Sequence, residues 1–150
     1  MEITVRSGDY NDLKFIYKLV HELAEFEKAG DQVTIDLSYY QEQFEAGLFS
    51  FLVAEKNDNI IGTCIFYDTF STWKGKMIYL EDFIVSQSHR SQGIGQMLFD
   101  AFLAYAKSVQ ATMVKWQVLD WNEQATKFYR KNHAIIEKNW WNGKIIFGQT

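Results

Sequence analysis

The residue pattern predicts an α/β protein of the α+β kind, with a mixed, mostly antiparallel sheet flanked by helices. Three observations carry this. Residues 48–55 and 60–67 are apolar segments on either side of Asn57-Asp58-Asn59, and they read as a β-hairpin. Residues 79–85 form a strand that is apolar on both faces, which marks a central position in a sheet. A glycine-bearing turn then opens a helix, and residues 112–118 return as a further strand, the pattern of a β-α-β crossover.

The elements follow in order. Residues 1–6 alternate and form a first strand. Ser7 or Asp9 can cap a helix beginning near Asn11. Leu13, Ile16, Tyr17, Val20, Leu23 and Ala24 recur at helical spacing, and Gly30 is expected to stop that helix. A second helix spans residues 36–46, with Asp36 as its cap and Gly47 as its end. Trp73-Lys74-Gly75-Lys76 is a loop leading into the central strand. After the glycine turn, Ile94, Leu98, Ala101, Phe102 and Tyr105 share one helix face. A last helix covers residues 122–131 with Asn122 at its cap. Short strands are expected at residues 134–137 and 144–148, joined by a turn at Trp140-Trp141-Asn142-Gly143.

A chain of 150 residues fits one domain. It is 47% hydrophobic and 17% aromatic, which supports a packed core and argues against disorder. The formal charge of −4 disfavours nucleic acid as a partner and is compatible with a cationic one. Cys64 is the one cysteine, so no internal disulfide can form, and its apolar setting reads as a buried thiol. No signal peptide or membrane-length apolar run is visible, so no membrane partner and a cytoplasmic location are expected.

The chemistry concentrates between residues 79 and 98. Amides at a helix start lack intrahelical partners and carry the positive end of the dipole. Gly93 and Gly95 let the backbone bend and approach a ligand, and Arg90 precedes them, so the stretch from Arg90 to Gly95 forms an anion cradle. It is not a P-loop, because Gln96-Met97 follows Gly95. The dinucleotide fingerprint fails at Leu98, although Asp120 lies roughly where an acidic ribose partner would stand. Just before the cradle, Glu81 and Asp82 place two carboxylates inside an apolar strand. Charge is expensive there unless paired or wetted, which points to function. Alternation sends Glu81 to one face and Asp82 to the other.

Arg-x-x-Gly-x-Gly after a hydrophobic strand resembles the acetyl-coenzyme A loop of the GNAT superfamily of N-acetyltransferases. Tyr79-Leu80-Glu81-Asp82-Phe83, Trp121-Asn122-Glu123 and Phe128-Tyr129 are similar to the diamine (spermidine/spermine) branch. So are Glu22-Leu23-Ala24 and Asp31-Gln32-Val33 near the N-terminus. The resemblance implies splayed central strands that admit the pantetheine arm of acetyl-CoA. It implies that Phe83, Ile84, Val85 and Asn122 line that arm, and that Arg90, Ser91, Gln92, Gly93, Ile94 and Gly95 take the pyrophosphate. It gives Glu81 the role of base, directly or through water, and Tyr129 that of acid for the leaving thiolate. Glu27, Trp73, Glu81 and Asp82 match positions around the branch's amine acceptor. A homodimer is implied, and no metal is expected.

The sequence departs from that pattern at several points. Ser91 and His133 stand where glycine is common, and His133 is expected to need a left-handed conformation. Ser71 stands where the branch tends to place an acid, and the branch's longer C-terminal segment is curtailed. A lysine-like acceptor is therefore open beside a polyamine. A protein N-terminal or lysine acetyltransferase, or a non-catalytic coenzyme A sensor, are the rival readings.

Overall fold

The computed structural model describes residues 2–148, so Met1, where the first strand was expected to begin, lies outside the described residues. The chain divides into two compact units, Met1–Trp116 and Gln117–Thr150.

The first unit holds a five-stranded sheet in the order β1-β2-β3-β4-β5. The strands are β1 (Ile3–Ser7), β2 (Ser50–Lys56), β3 (Asn59–Ser71), β4 (Gly75–Val85) and β5 (Met113–Lys115). The first four pair antiparallel, and β5 joins β4 parallel through α3 (Ile94–Ser108), which makes the sheet mixed as expected. Helix α1 (Leu13–Phe26) buries Leu13 and Ile16 against Phe51, Val53 and Ile65. Helix α2 (Leu37–Glu45) adds Leu37 and Phe44 to the same cluster. Successive strand residues point to opposite faces, so Phe66 leaves the α1 side and meets Phe102 of α3 at 5.2 Å between ring centroids. Gly62 lets α3 come close. A Cβ there would stand 2.9 Å from Leu98 and 3.0 Å from the Ile84 carbonyl.

Local chemistry explains the element ends. Asp9 caps a short 3₁₀ turn (Tyr10–Asp12) by accepting from the Asn11 amide at 2.9 Å, and Asp12 answers from the Asp9 amide at 2.9 Å. Asp12 also receives the Arg6 guanidinium at 2.8 and 3.0 Å, which holds its carboxyl below the ordinary range. Helix α1 ends at Phe26, ahead of the expected stop at Gly30. Lys28 takes the left-handed position at φ 59°, while Ala29 N–H reaches the Ala24 carbonyl at 2.8 Å and Lys28 N–H the Glu25 carbonyl at 3.0 Å. Gly47 ends α2 as expected, at φ 76°.

Strands β3 and β4 run further than the sequence suggests. Residues 73–76 were expected as a loop, yet pairing continues to Ser71 opposite Gly75. Cross-strand partners carry a ladder beyond the apolar segment that starts it. β5 is shorter than expected, three residues in place of seven.

The second unit contains α4 (Glu123–Lys131). Asn122 caps it, its Oδ1 accepting from Ala125 N–H at 3.1 Å. His133 follows at φ 66°, the left-handed conformation expected of it. Residues 134–137 and 144–148 form no strand, contrary to expectation. A short alternating run becomes a strand only when another edge completes its hydrogen bonds, and these runs join no ladder among the described residues. Ile135, Trp141, Ile145 and Phe147 remain exposed. No helix among the described residues is long and apolar enough to cross a membrane.

Candidate active site

β4 positions the site. Its pairing with β5 stops at Tyr79 opposite Lys115, whereas β4 itself runs on to Val85. Among the described residues, the pairing of β4 with β5 does not continue from Leu80 to Val85.

A bulge sits in the middle of the same strand. Ile65 faces Asp82 and Phe66 faces Leu80, so Glu81 is the extra residue. Strict alternation would send the two carboxylates to opposite faces; the bulge breaks it. Both carboxylates act on the Tyr40 phenol, which they and burial hold above its ordinary pKa. Tyr67 donates its hydroxyl to Glu81 Oε2 at 2.9 Å and stacks on Tyr79 at 5.5 Å. Burial foremost, then the charges of Glu81 and Glu27, push the Asp82 carboxyl up to about 7. Burial likewise raises Glu27, the residue that follows α1 as its C-cap. Tyr17, which donates to the Ile35 carbonyl at 2.8 Å, lies 5.0 Å from the Tyr40 ring. The result is a cluster of three acids with tyrosine neighbours, suited to a cation. Trp73 stands apart: it lies at the β3–β4 tip, 84% exposed, and Gly75 to Glu81 alone spans roughly 20 Å of strand. The three tyrosines Tyr17, Tyr40 and Tyr67 were not singled out by the sequence. Tyr67 could have been found as an aromatic two strand positions from the hairpin partner of the acidic pair, but only once the bulged register is known.

The anion cradle follows β4. A 3₁₀ turn (Gln87–His89) leads to Arg90, whose Nε–H donates to the Val85 carbonyl at 3.2 Å. Ser91 and Gly93 adopt left-handed backbones at φ 65° and 79°. Gly93 is the N-cap of α3 and supplies no side-chain cap; the Met97 amide is the first to reach back, to the Gly93 carbonyl at 3.2 Å. The first-turn amides of α3 at Ile94 and Gly95 thus stand at a helix start without a capping side chain, and Gln92 precedes them on the exposed loop. A Cβ on Gly95 would meet Phe83 at 3.6 Å, an ordinary contact, so glycine there leaves space rather than relieving a clash. A helix start of this kind, following the end of a strand, is suited to an anionic group such as a pyrophosphate.

In the second unit, Tyr129 is buried on α4, and Phe128 lies edge-on to it at 5.6 Å. Asn122 is the helix cap already described. Cys64 is fully buried on β3, and burial raises its thiol far above the reactive range.

Residues 14–134 match the Acetyltransferase (GNAT) family. The chain belongs to this family. The acetyltransferase is 33% identical to the thialysine N-epsilon-acetyltransferase of Bos taurus, over 93% of this chain and 89% of the bovine one. It is 28% identical to the spermidine/spermine N(1)-acetyltransferase-like protein 1 of Homo sapiens, over 91% of this chain and 21% of the human one. Among solved structures, it superposes on an aminoglycoside acetyltransferase from an uncultured soil metagenomic sample with a TM-score of 0.81. That match covers 97% of this chain and 96% of the other at 19% identity, and it establishes likeness of fold.

Proposed function

We propose that this acetyltransferase moves the acetyl group of acetyl-CoA to a primary amine of a small cationic acceptor, by direct attack in a ternary complex. The observation that carries the reading is the acidic, tyrosine-lined cluster of Glu27, Glu81 and Asp82 on and beside β4. The bovine and human relatives are named for thialysine and for spermidine/spermine, both small cationic amines, which supports it.

When bound, acetyl-CoA supplies a thioester whose carbonyl an amine can attack. The chain does the rest. Phe83, Ile84 and Val85 offer their strand edge to the pantetheine amides, with Asn122 as a further contact. Arg90, Ser91, Gln92, Gly93, Ile94 and Gly95 receive the pyrophosphate. Glu27, Glu81 and Asp82 attract the ammonium, and Trp73 is assigned to the acceptor on resemblance alone. The amine must lose a proton before it attacks, and its pKa is ~10. Glu81 takes that proton directly or through water. Asp82 is a second candidate, since a carboxyl near 7 is matched to neutral pH. Tyr129 protonates the departing thiolate. We also propose a homodimer, on the resemblance to the diamine branch, and a cytoplasmic location.

The test is thiol release from acetyl-CoA with a panel of amines: diamines, polyamines, lysine analogues, an aminoglycoside and peptides. The expected result is turnover with a diamine or lysine analogue well above that with any peptide. Preference for peptide N-termini or peptide lysines would replace the acceptor and leave the fold untouched. Binding of acetyl-CoA with no thiol release on any of these amines would point to a coenzyme A sensor.

A further inference from the structure

Helix α1 reaches the cofactor loop with two side chains one turn apart. The Gln87 amide donates to Glu22 Oε1 at 2.9 Å, across 65 residues of sequence. The Arg90 guanidinium lies over the Phe26 ring, 5.3 Å from its centroid. Glu22 and Phe26 are spaced i, i+4, so both project from one stripe of α1. With Glu25, Gln87 and Arg90 they line a cavity of ≈ 480 Å³ between the helix end and the loop. Two carboxylates at that cavity would repel phosphate, so the cavity is not itself the anion seat.

We infer that Glu22 and Phe26 are positioning residues for the donor's pyrophosphate, acting through Gln87 and Arg90. The inference rests on reading the stretch from Arg90 to Gly95 as the pyrophosphate cradle. Gln87, Ser88, Ser91 and Gln92 are exposed, and a loop of that kind samples many conformations unless tied down. Glu22 ties the loop at Gln87. Phe26 and the Val85 carbonyl hold the guanidinium from two sides. A charged group already held in its binding pose loses less freedom when the ligand arrives. Nothing in this arrangement touches the acetyl group or the amine. Its loss should therefore appear in donor affinity alone, and only for a donor that carries the pyrophosphate.

The experiment compares acetyl-CoA with S-acetylpantetheine, which lacks the pyrophosphate and adenosine. Wild type, Glu22→Ala, Glu22→Gln and Phe26→Leu are assayed with a saturating amine. Phe26 is 39% exposed and Glu22 is half-buried, so both truncations are compatible with folding. Glu22→Ala and Phe26→Leu should each raise the KM for acetyl-CoA about three- to tenfold, the scale of one charged hydrogen bond or cation–π contact. Their kcat should hold, and their kinetics with S-acetylpantetheine should match wild type. Glu22→Gln keeps an oxygen acceptor for the Gln87 amide and should recover most of the loss. Equal losses on both donors would reduce the two residues to general structural support and overturn the inference. Unchanged KM for acetyl-CoA in both truncations would overturn it as well. Wild type that does not prefer acetyl-CoA over S-acetylpantetheine would overturn the cradle reading itself, and the inference with it.

Discussion

Lys28, Gln110 and His133 each hold a left-handed backbone, at φ 59°, 61° and 66°, immediately after a helix. Each follows the same hydrogen-bond pattern at the helix end, with the next residue's N–H reaching five residues back, as Ala111 to Ala106 and Ala134 to Tyr129 both do at 3.0 Å. A side chain in that conformation costs about 1–2 kcal/mol, of which the flexibility of unfolded glycine returns part. Gln110→Gly and His133→Gly should therefore each stabilise by roughly 0.5–1 kcal/mol, read as a rise in Tm of a few degrees. Asp82 gives a second test. Its folded pKa, about 7, lies above the ordinary 3.8, so the fold favours its neutral form. That contribution is fully present below about pH 4 and lost as pH rises through 7. The Tm advantage of Asp82→Asn over wild type should grow from pH 4 to pH 8. If Asp82 shares the base role, the same variant should lose an inflexion near pH 7 in kcat/KM. Tyr129→Phe removes one oxygen and keeps the ring. Turnover should fall ~10²–10⁴-fold with little change in donor affinity, the mark of an interaction made in the transition state. A lower Tm with normal turnover would make Tyr129 a packing residue.

At the scale of elements, the start of α3 separates two uses of glycine. Gly93 sits at φ 79° with open space where its Cβ would be, so its demand is conformational. Gly95 has an ordinary backbone and a 3.6 Å gap to Phe83, so neither its conformation nor a clash requires glycine there. Gly93→Ala should lower stability by about 1–2 kcal/mol. Gly95→Ala should leave Tm unchanged or higher, since alanine suits a helix better. Yet it should reduce the rise in Tm that acetyl-CoA produces, because that rise reports binding to the folded chain. An undiminished shift in Gly95→Ala would remove that position from the cradle.

Across the whole molecule, a formal charge of −4 is spread among 19 acids and 15 bases, with three of the acids gathered at one cluster. The field that attracts a cationic acceptor is thus local. Salt screens exposed charges over about 8–10 Å at ordinary ionic strengths. The KM for a diamine should rise from 50 mM to 500 mM salt, whereas the KM for a monoamine should rise less. Equal responses would mean that the second charge of the diamine meets no carboxylate.

The sequence alone determined the mixed sheet, the helix caps at Asp36 and Asn122, the glycine stop at Gly47 and the left-handed His133, and it left the cap at Asp9 open against Ser7. The caps, the stop and the left-handed residue follow from interactions within a few residues, where local chemistry is sufficient, and the mixed sheet follows from the order of the elements. The acidic pair and the glycine turn that opens α3 were legible too, because charge in an apolar strand and glycines at a helix start carry their own physical signal. Only the tertiary structure decided the rest. The bulge at Glu81 depends on the register against Ile65 and Phe66. The Asp82 shift needs Glu27 from another element and the burial that packing provides. The tyrosine neighbours, and the hold of Glu22 and Phe26 on the loop, join residues tens of positions apart. The unformed strands at residues 134–137 and 144–148 show the same limit from the other side. Alternation can propose a strand, but its hydrogen bonds belong to whichever edge it meets.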